Sequence, residues 1–171
     1  MASATWVRFH SLPESKRYPE DQAEEDQVVF RHLTLLKELM SSRSDFTNQL
    51  WVVTAGWSRS CQPAERDADL KSAFPNATYC KTVLQDDSEP DDPAYTHLYL
   101  GTTTLDGADL RDLLVLVCHD GTAGVILCPP SLDWLYHPYD GGVDVIASDR
   151  TSREHLRVKY SDWLSRHPQG L

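Results

Sequence analysis

The side chains best suited to chemistry lie near the C-terminus, where His137, Tyr139, Asp140 and Asp144 fall within eight positions. A histidine beside carboxylates can exchange protons near neutral pH, and the same groups can bind a divalent metal. A structural role suits them equally, with Asp140 accepting backbone N–H groups in a turn. The structural interpretation is favoured. The alternative is a small hydrolase or metal-dependent enzyme that uses His137, Asp140 and Asp144.

The segment around these residues predicts a hairpin followed by a helix. Asp140-Gly141-Gly142 favours a tight turn, because glycine adopts the positive φ angles that two-residue turns need. Asp144 stands between two valines and therefore points to the opposite face of its strand. Asp149 or Thr151 can cap the helix, which is expected to continue to Trp163.

Hydrophobic periodicity predicts the remaining elements in the order β-α-β-(α)-β-β-α-β-β-β-α. Residues 19–41 favour a helix, and the apolar run 50–57 favours a strand covered on both faces. Asp106 or Asp109 is expected to cap a later helix that closes at Asp120-Gly121. The order predicts an α+β fold in one domain, 1–171: a single mixed, mainly antiparallel sheet of about six or seven strands carrying two or three long helices.

The tryptophans predict packing rather than chemistry. Trp6, Trp51 and Trp57 are expected in the core or at its rim, since large aromatic side chains contribute most of their free energy through burial.

The charge balance narrows the choice of partner. The 171 residues include 26 acidic and 16 basic side chains, a formal net charge of −10. This disfavours nucleic acid and anionic membranes, which attract positive charge, and permits a basic protein. One acidic run is a candidate binding site for such a partner, with a solvated loop as the other interpretation. Its members are Asp86, Asp87, Glu89, Asp91 and Asp92.

The sequence predicts no cofactor and no metal site. It contains no phosphate-binding glycine loop, nucleophile elbow or His-Glu-x-x-His motif. Cys61, Cys80, Cys118 and Cys128 form neither a Cys-x-x-Cys pair nor a zinc spacing. No signal peptide or membrane-spanning apolar run is recognised, which favours a cytoplasmic location with reduced thiols.

Two stretches, residues 8–20 and 134–146, resemble an uncharacterised bacterial family of small cytosolic proteins. The C-terminal part also resembles a domain of unknown function with the pattern hydrophobic-Tyr-Asp-Asp-Arg-Gly-x-Asp-hydrophobic-hydrophobic-Ala, followed by a helix ending in Tyr-x-Asp-Trp. The matching residues are Tyr139, Asp140, Gly142, Asp144, Val145, Ile146, Ala147, Tyr160, Asp162 and Trp163. The second Asp and the Arg of the pattern are missing, so no role of that arginine carries over.

Some members of that domain family are encoded near Rhs-type polymorphic toxins. The resemblance therefore implies, by analogy, an immunity protein that binds and neutralises a toxin. We accordingly expect a non-enzymatic acidic binding protein. A further alternative is a regulatory or scaffold oligomer, which an exposed apolar patch of several hundred Å² would support.

Overall fold

Seven strands form one sheet in the order β1-β7-β6-β5-β2-β4-β3, and every neighbouring pair is antiparallel. The computed structural model describes residues 4–41, 48–63, 65–86 and 93–164. The strands are β1 (Trp6–His10), β2 (Gln49–Ser58), β3 (Thr78–Asp86), β4 (Ala94–Thr104), β5 (Ile126–Cys128), β6 (Leu135–Tyr139) and β7 (Gly142–Ile146).

Four α-helices accompany the sheet in the described part of the chain. They are α1 (Gln22–Ser41), α2 (Ala68–Ala73), α3 (Ala108–Cys118) and α4 (Arg150–Lys159), and short 3-10 turns lie at Pro13–Ser15 and Ser161–Trp163. The predicted α+β class and the predicted order of elements are confirmed. The last helix is shorter than expected, since it ends at Lys159 and a 3-10 turn carries the chain on to Trp163.

The helices pack on one face of the sheet, which we call the inner face. Leu36 of α1, Leu113 of α3 and Leu156 of α4 join one hydrophobic cluster with inner-face residues such as Val52 and Tyr136. Burying a side chain of this size removes apolar area worth roughly 1.5–3 kcal/mol. This cluster is therefore the main source of stability for the fold.

The opposite face of the sheet, the outer face, contributes no residue to that cluster. Its members include Trp6, Arg8, Trp51, Val53, Trp57, Lys81, Val83, Leu98, Leu100, Ile126, Leu135, His137, Tyr139, Asp144 and Ile146. No outer-face residue shares a buried hydrophobic cluster with a described helix. Trp51 and Val53 are half-buried and Trp57 is 52% exposed, so β2 is covered less on this face than predicted. Trp6 and Trp51 are half-buried, which is compatible with the predicted position at the rim of the core, whereas Trp57 is exposed.

The predicted hairpin is confirmed, but the reason for its second glycine differs. Asp140 and Gly141 join β6 to β7, and neither has a positive φ angle. A Cβ atom at Gly142 would lie 2.2 Å from the carbonyl oxygen of Phe9. Glycine is therefore needed at position 142 because the backbone of β1 approaches closely. The turn conformation itself does not require it.

The helix ends confirm two predicted caps and correct one. Asp149 accepts a hydrogen bond of 2.8 Å from the backbone N–H of Ser152 and so caps α4. Asp120-Gly121 closes α3, with Asp120 at a φ of 58°. The start of α3 is different: Gly107 is its N-cap and no side chain caps it. The carboxylate of Asp109 instead accepts the hydroxyl hydrogen of a threonine on β4.

Candidate functional site

Strand register places three polar side chains in one row across the outer face. Asp144 of β7 lies opposite Arg8 of β1 on one side and opposite His137 of β6 on the other. Directly opposed residues of antiparallel strands project to the same face, so these side chains are neighbours. The structure therefore brings together two of the predicted residues, His137 and Asp144, and adds Arg8, which sequence reasoning missed.

Arg8 and Asp144 form a bidentate ion pair. Nε of Arg8 lies 2.7 Å from Oδ1 of Asp144, and Nη2 lies 2.9 Å from Oδ2. The hydrogen bond to Asp144 raises the pKa of Arg8 above its ordinary value. The two side chains are 24% and 23% exposed, so solvent screens the pair only in part. We expect it to contribute about 1 kcal/mol, and Asp144 is occupied as the partner of an arginine.

Aromatic rings extend this ion pair into a stacked layer. The guanidinium carbon of Arg8 lies 5.4 Å from the centroid of the Trp6 ring and 5.3 Å from that of Tyr139. The ring of His137 follows, 6.2 Å from Tyr139. Burial raises the pKa of Tyr139 to about 12, so its phenol stays neutral. Trp6, Arg8, Tyr139 and His137 therefore form one run of aromatic and cation–π contacts on the outer face.

Asp140 has a different set of partners. It is 9% exposed, and it accepts hydrogen bonds from Nε of Arg17 and, at 2.9 Å, from the hydroxyl of Tyr18. The backbone N–H of Ser11 also donates to the carbonyl of Gly141 at 3.1 Å. Asp140 therefore fastens the loop before α1 to the hairpin and shares no hydrogen-bond partner with Asp144. Hydrogen bonding to Asp140 raises the pKa of Tyr18.

The acidic run lies mostly beyond what the structure describes. Asp86 closes β3 opposite Ala94, whereas the remaining candidates, Asp87, Glu89, Asp91 and Asp92, lie outside the described residues. Within the described residues, no three His, Cys, Asp or Glu side chains cluster closely enough to hold a metal ion.

The central part of the outer face is apolar. Val53 of β2 lies between Leu100 of β4 and Ile126 of β5, and all three are half-buried. Trp57, further along β2, is 52% exposed. The apolar run 50–57 contains the residues that form this surface. Its continuous apolar character is equally typical of a strand that is covered on both faces.

A buried serine–histidine pair on the inner side was also missed. The two ring nitrogens of His32 lie 3.0 Å from Oγ of Ser11 and 2.7 Å from the hydroxyl oxygen of Tyr136. Burial lowers the pKa of His32 to about 4, so the ring is neutral at pH 7. All three residues are at most 3% exposed, which leaves a substrate no access. They are far apart in the sequence, so no local motif announces them.

The geometry defines an α+β protein with helices on one side of an antiparallel sheet and an open, aromatic-rich face on the other. Residues 2–168 match the family described as "Domain of unknown function (DUF3885)", and the chain belongs to that family. No curated protein and no solved structure matches the chain. None of the described helices is both long enough and apolar enough to cross a membrane.

Proposed function

We propose that this chain is a non-enzymatic binding protein that docks a basic protein partner on its outer face. One observation carries the proposal: the apolar centre of that face, around Val53, Leu100 and Ile126, is only half-buried and lies outside the cluster that the described helices form with the inner face. Trp57 and Ile146 of the same face are 52% and 42% exposed, and contiguous exposed apolar surface on a folded protein marks interaction sites. Tryptophan is also enriched among the residues that dominate binding energy, and Trp6, Trp51 and Trp57 all lie on this face.

Charge supports a basic partner. The chain has a formal net charge of −10. On the outer face, Arg8 is paired with Asp144, whereas Lys81 of the edge strand β3 is exposed opposite Leu98. A negative field accelerates encounter with a positively charged protein and disfavours acidic competitors. The acidic run 86–92 belongs to the connection between β3 and β4, the two strands at one edge of the sheet. It would add to that attraction.

The finer form of the proposal is a cytoplasmic immunity protein that neutralises a bacterial toxin. It rests on the resemblance of the C-terminal segment to proteins encoded near polymorphic toxins. A toxin inhibitor needs a rigid scaffold and a surface complementary to a basic enzyme. The antiparallel sheet with its helix layer supplies the first, and the outer face together with the net charge supplies the second.

The test uses the protein encoded by the gene directly upstream and compares two matched substitutions. Val53→Arg places a cation at the apolar centre of the outer face, whereas Val158→Arg places the same cation on α4, where Val158 is 70% exposed. We expect tight binding of the upstream protein in calorimetry. Val53→Arg should weaken it at least about 100-fold, and Val158→Arg should leave it unchanged. The upstream protein should also be toxic when expressed alone and harmless with the wild-type chain.

Two results would contradict the proposal. If Val53→Arg binds as tightly as Val158→Arg, then the outer face is not the docking surface. If the upstream product neither binds nor harms cells, then the immunity function is wrong. Docking of a different basic protein would then be tested with the same two variants.

A second candidate, a regulatory or scaffold oligomer, draws on the same apolar surface. Two copies would pair outer face to outer face and bury Val53 and Leu100 in both. Sedimentation velocity distinguishes the two: an oligomer of the wild-type chain that Val53→Arg dissociates favours self-association, and a monomer at all concentrations excludes it.

A further inference from the structure

A cleft of about 420 Å³ lies at the end of β2, where inner-face residues and the outer-face side chain of Trp57 both line it. Its floor is formed by β2 and β4 at Gly56, His97 and Tyr99. The segment that leads into α2 supplies Arg66, α2 itself supplies Leu70, and the loop after α3 supplies residues 121–123.

The cleft exists because β5 is short. Its register on β2 ends at the pair Val53–Ile126. Beyond that point, none of the described strands lies beside β2 on the side away from β4. The loop that precedes β5 turns sharply at Gly124, where φ is 67° and a Cβ atom would lie 2.9 Å from the Cβ of Ala55. The gap is therefore built into the backbone and does not depend on a side-chain rotamer.

Arg66 lines this cleft, and none of the acidic side chains in the described part of the chain forms an ion pair with it. Its Nη2 donates a hydrogen bond of 2.8 Å to the carbonyl of Phe74, and its guanidinium carbon lies 5.7 Å from the centroid of the Tyr99 ring. Its Nε is buried with no acceptor. In contrast, Arg8 and Arg17 each pair with an aspartate. A partly desolvated cation without a counter-charge is costly, and an arriving anion would relieve that cost.

The nearby polar side chains do not supply this counter-charge. The carboxylate of Asp67 accepts the backbone N–H groups of Asp69 at 2.9 Å and Leu70 at 3.1 Å, as the N-cap of α2. Glu65 is exposed and forms no ion pair with Arg66 among the described contacts.

His97 also belongs to the frame of the cleft. Its ring nitrogens lie 2.7 Å from Oγ of Ser58 and 2.8 Å from Oγ1 of Thr82, so both are occupied. His97 therefore holds the floor in place, and Arg66 is the group left to anchor a ligand.

We propose that the cleft binds a small organic monocarboxylate, with the carboxylate on the guanidinium of Arg66 and an apolar body against Tyr99 and Leu70. A planar guanidinium matches the geometry of a carboxylate. The neighbouring Glu65 and Asp67 would repel a doubly charged phosphate more strongly than a single carboxylate. The volume suits a ligand of drug-like size or smaller.

The test measures binding of benzoate, indole-3-acetate and hexanoate, each beside its primary amide, by two-dimensional NMR of the full chain. We expect at least one acid to shift the Nε–H signal of Arg66 and the amide signals of residues 121–123. The matching amide should bind at least tenfold more weakly. Arg66→Gln should abolish the shifts, Arg66→Lys should weaken binding about tenfold, and Arg157→Gln on α4 serves as the matched control that retains them.

The proposal is overturned if none of the three acids shifts these signals or if the amides bind as well as the acids. Unaltered binding by Arg66→Gln would overturn it too. The spectrum of each variant shows whether it is folded. If Arg66→Gln is unfolded, the binding measured with Arg66→Lys decides the outcome. Val53→Arg should retain acid binding, so that the proposal for this cleft and the proposal for the outer face are tested independently.

Discussion

Val52 and Val53 are neighbours on β2 with identical side chains and opposite surroundings. Val52 faces inward and is 0% exposed within the helix-covered core. Val53 faces outward between Leu100 and Ile126, is half-buried and lies outside that core cluster. Folding accounts for the first valine, because its burial stabilises the native state. It accounts for less of the second, and the docking proposed above would bury the remaining apolar surface.

The two faces also use polar groups differently. On the inner side, His32 bridges Ser11 and Tyr136 and is shielded from water. On the outer face, Arg8 and Asp144 form a partly exposed pair, and the guanidinium of Arg8 lies over the rings of Trp6 and Tyr139. The inner network satisfies polar groups that are shielded from water, whereas the outer pair stays in contact with solvent.

The largest expected effect comes from a pair of substitutions on β5 that compares the inner face with the outer face. The two matched residues are Leu127 and Ile126. Leu127 faces inward at 0% exposure, and Ile126 faces outward and is half-buried. Leu127→Ala should lower the free energy of unfolding by about 2–5 kcal/mol, because it leaves a cavity in the core. Ile126→Ala should lower it by roughly 1 kcal/mol, since its side chain loses less buried area. Urea denaturation measures both, and equal losses would show that the outer face is also core.

The strand pattern shows how far sequence reasoning reaches. Alternation and turn residues predicted the elements and their order, because those signals are local. Which face the helices cover depends on the packing of distant segments, and the run 50–57 is equally compatible with one covered face or two. Arg8 and Asp144 are 136 positions apart, and Ser11 and His32 are 21 positions apart, so neither pair forms a local motif. Arg66 gave no signal, because its lack of an acidic partner is a property of three-dimensional surroundings.

The second prediction concerns pH and separates the inner polar network from the outer pair. Burial lowers the pKa of His32 from 6.5 to about 4. Between these values the unfolded chain binds a proton that the folded chain excludes, so stability should fall as the pH falls from 6.5 toward 4. The contribution is complete above pH 6.5 and amounts to about 3 kcal/mol.

The matched variant isolates this contribution from the carboxylates that titrate in the same window. His32→Gln cannot bind the proton, so its stability should depend less steeply on pH than that of the wild type, by about 3 kcal/mol between pH 7 and pH 4. Denaturation curves at several pH values provide the measurement. Parallel profiles for the two proteins would mean that the ring of His32 is not shielded as described.

The smallest expected effect sharpens the comparison within the predicted site itself, between Asp140 in the turn and Asp144 on the outer face. Asp140→Asn weakens the bonds from Arg17 and Tyr18 and should cost about 1–2 kcal/mol, because the carboxylate is 9% exposed. Asp144→Asn breaks the pairing with Arg8 and should cost about 1 kcal/mol, because that pair is partly open to solvent. Thermal unfolding of the two variants checks both values. If neither substitution changes stability, these carboxylates do not stabilise the fold. The enzymatic alternative, in which they act with His137, then explains their positions better.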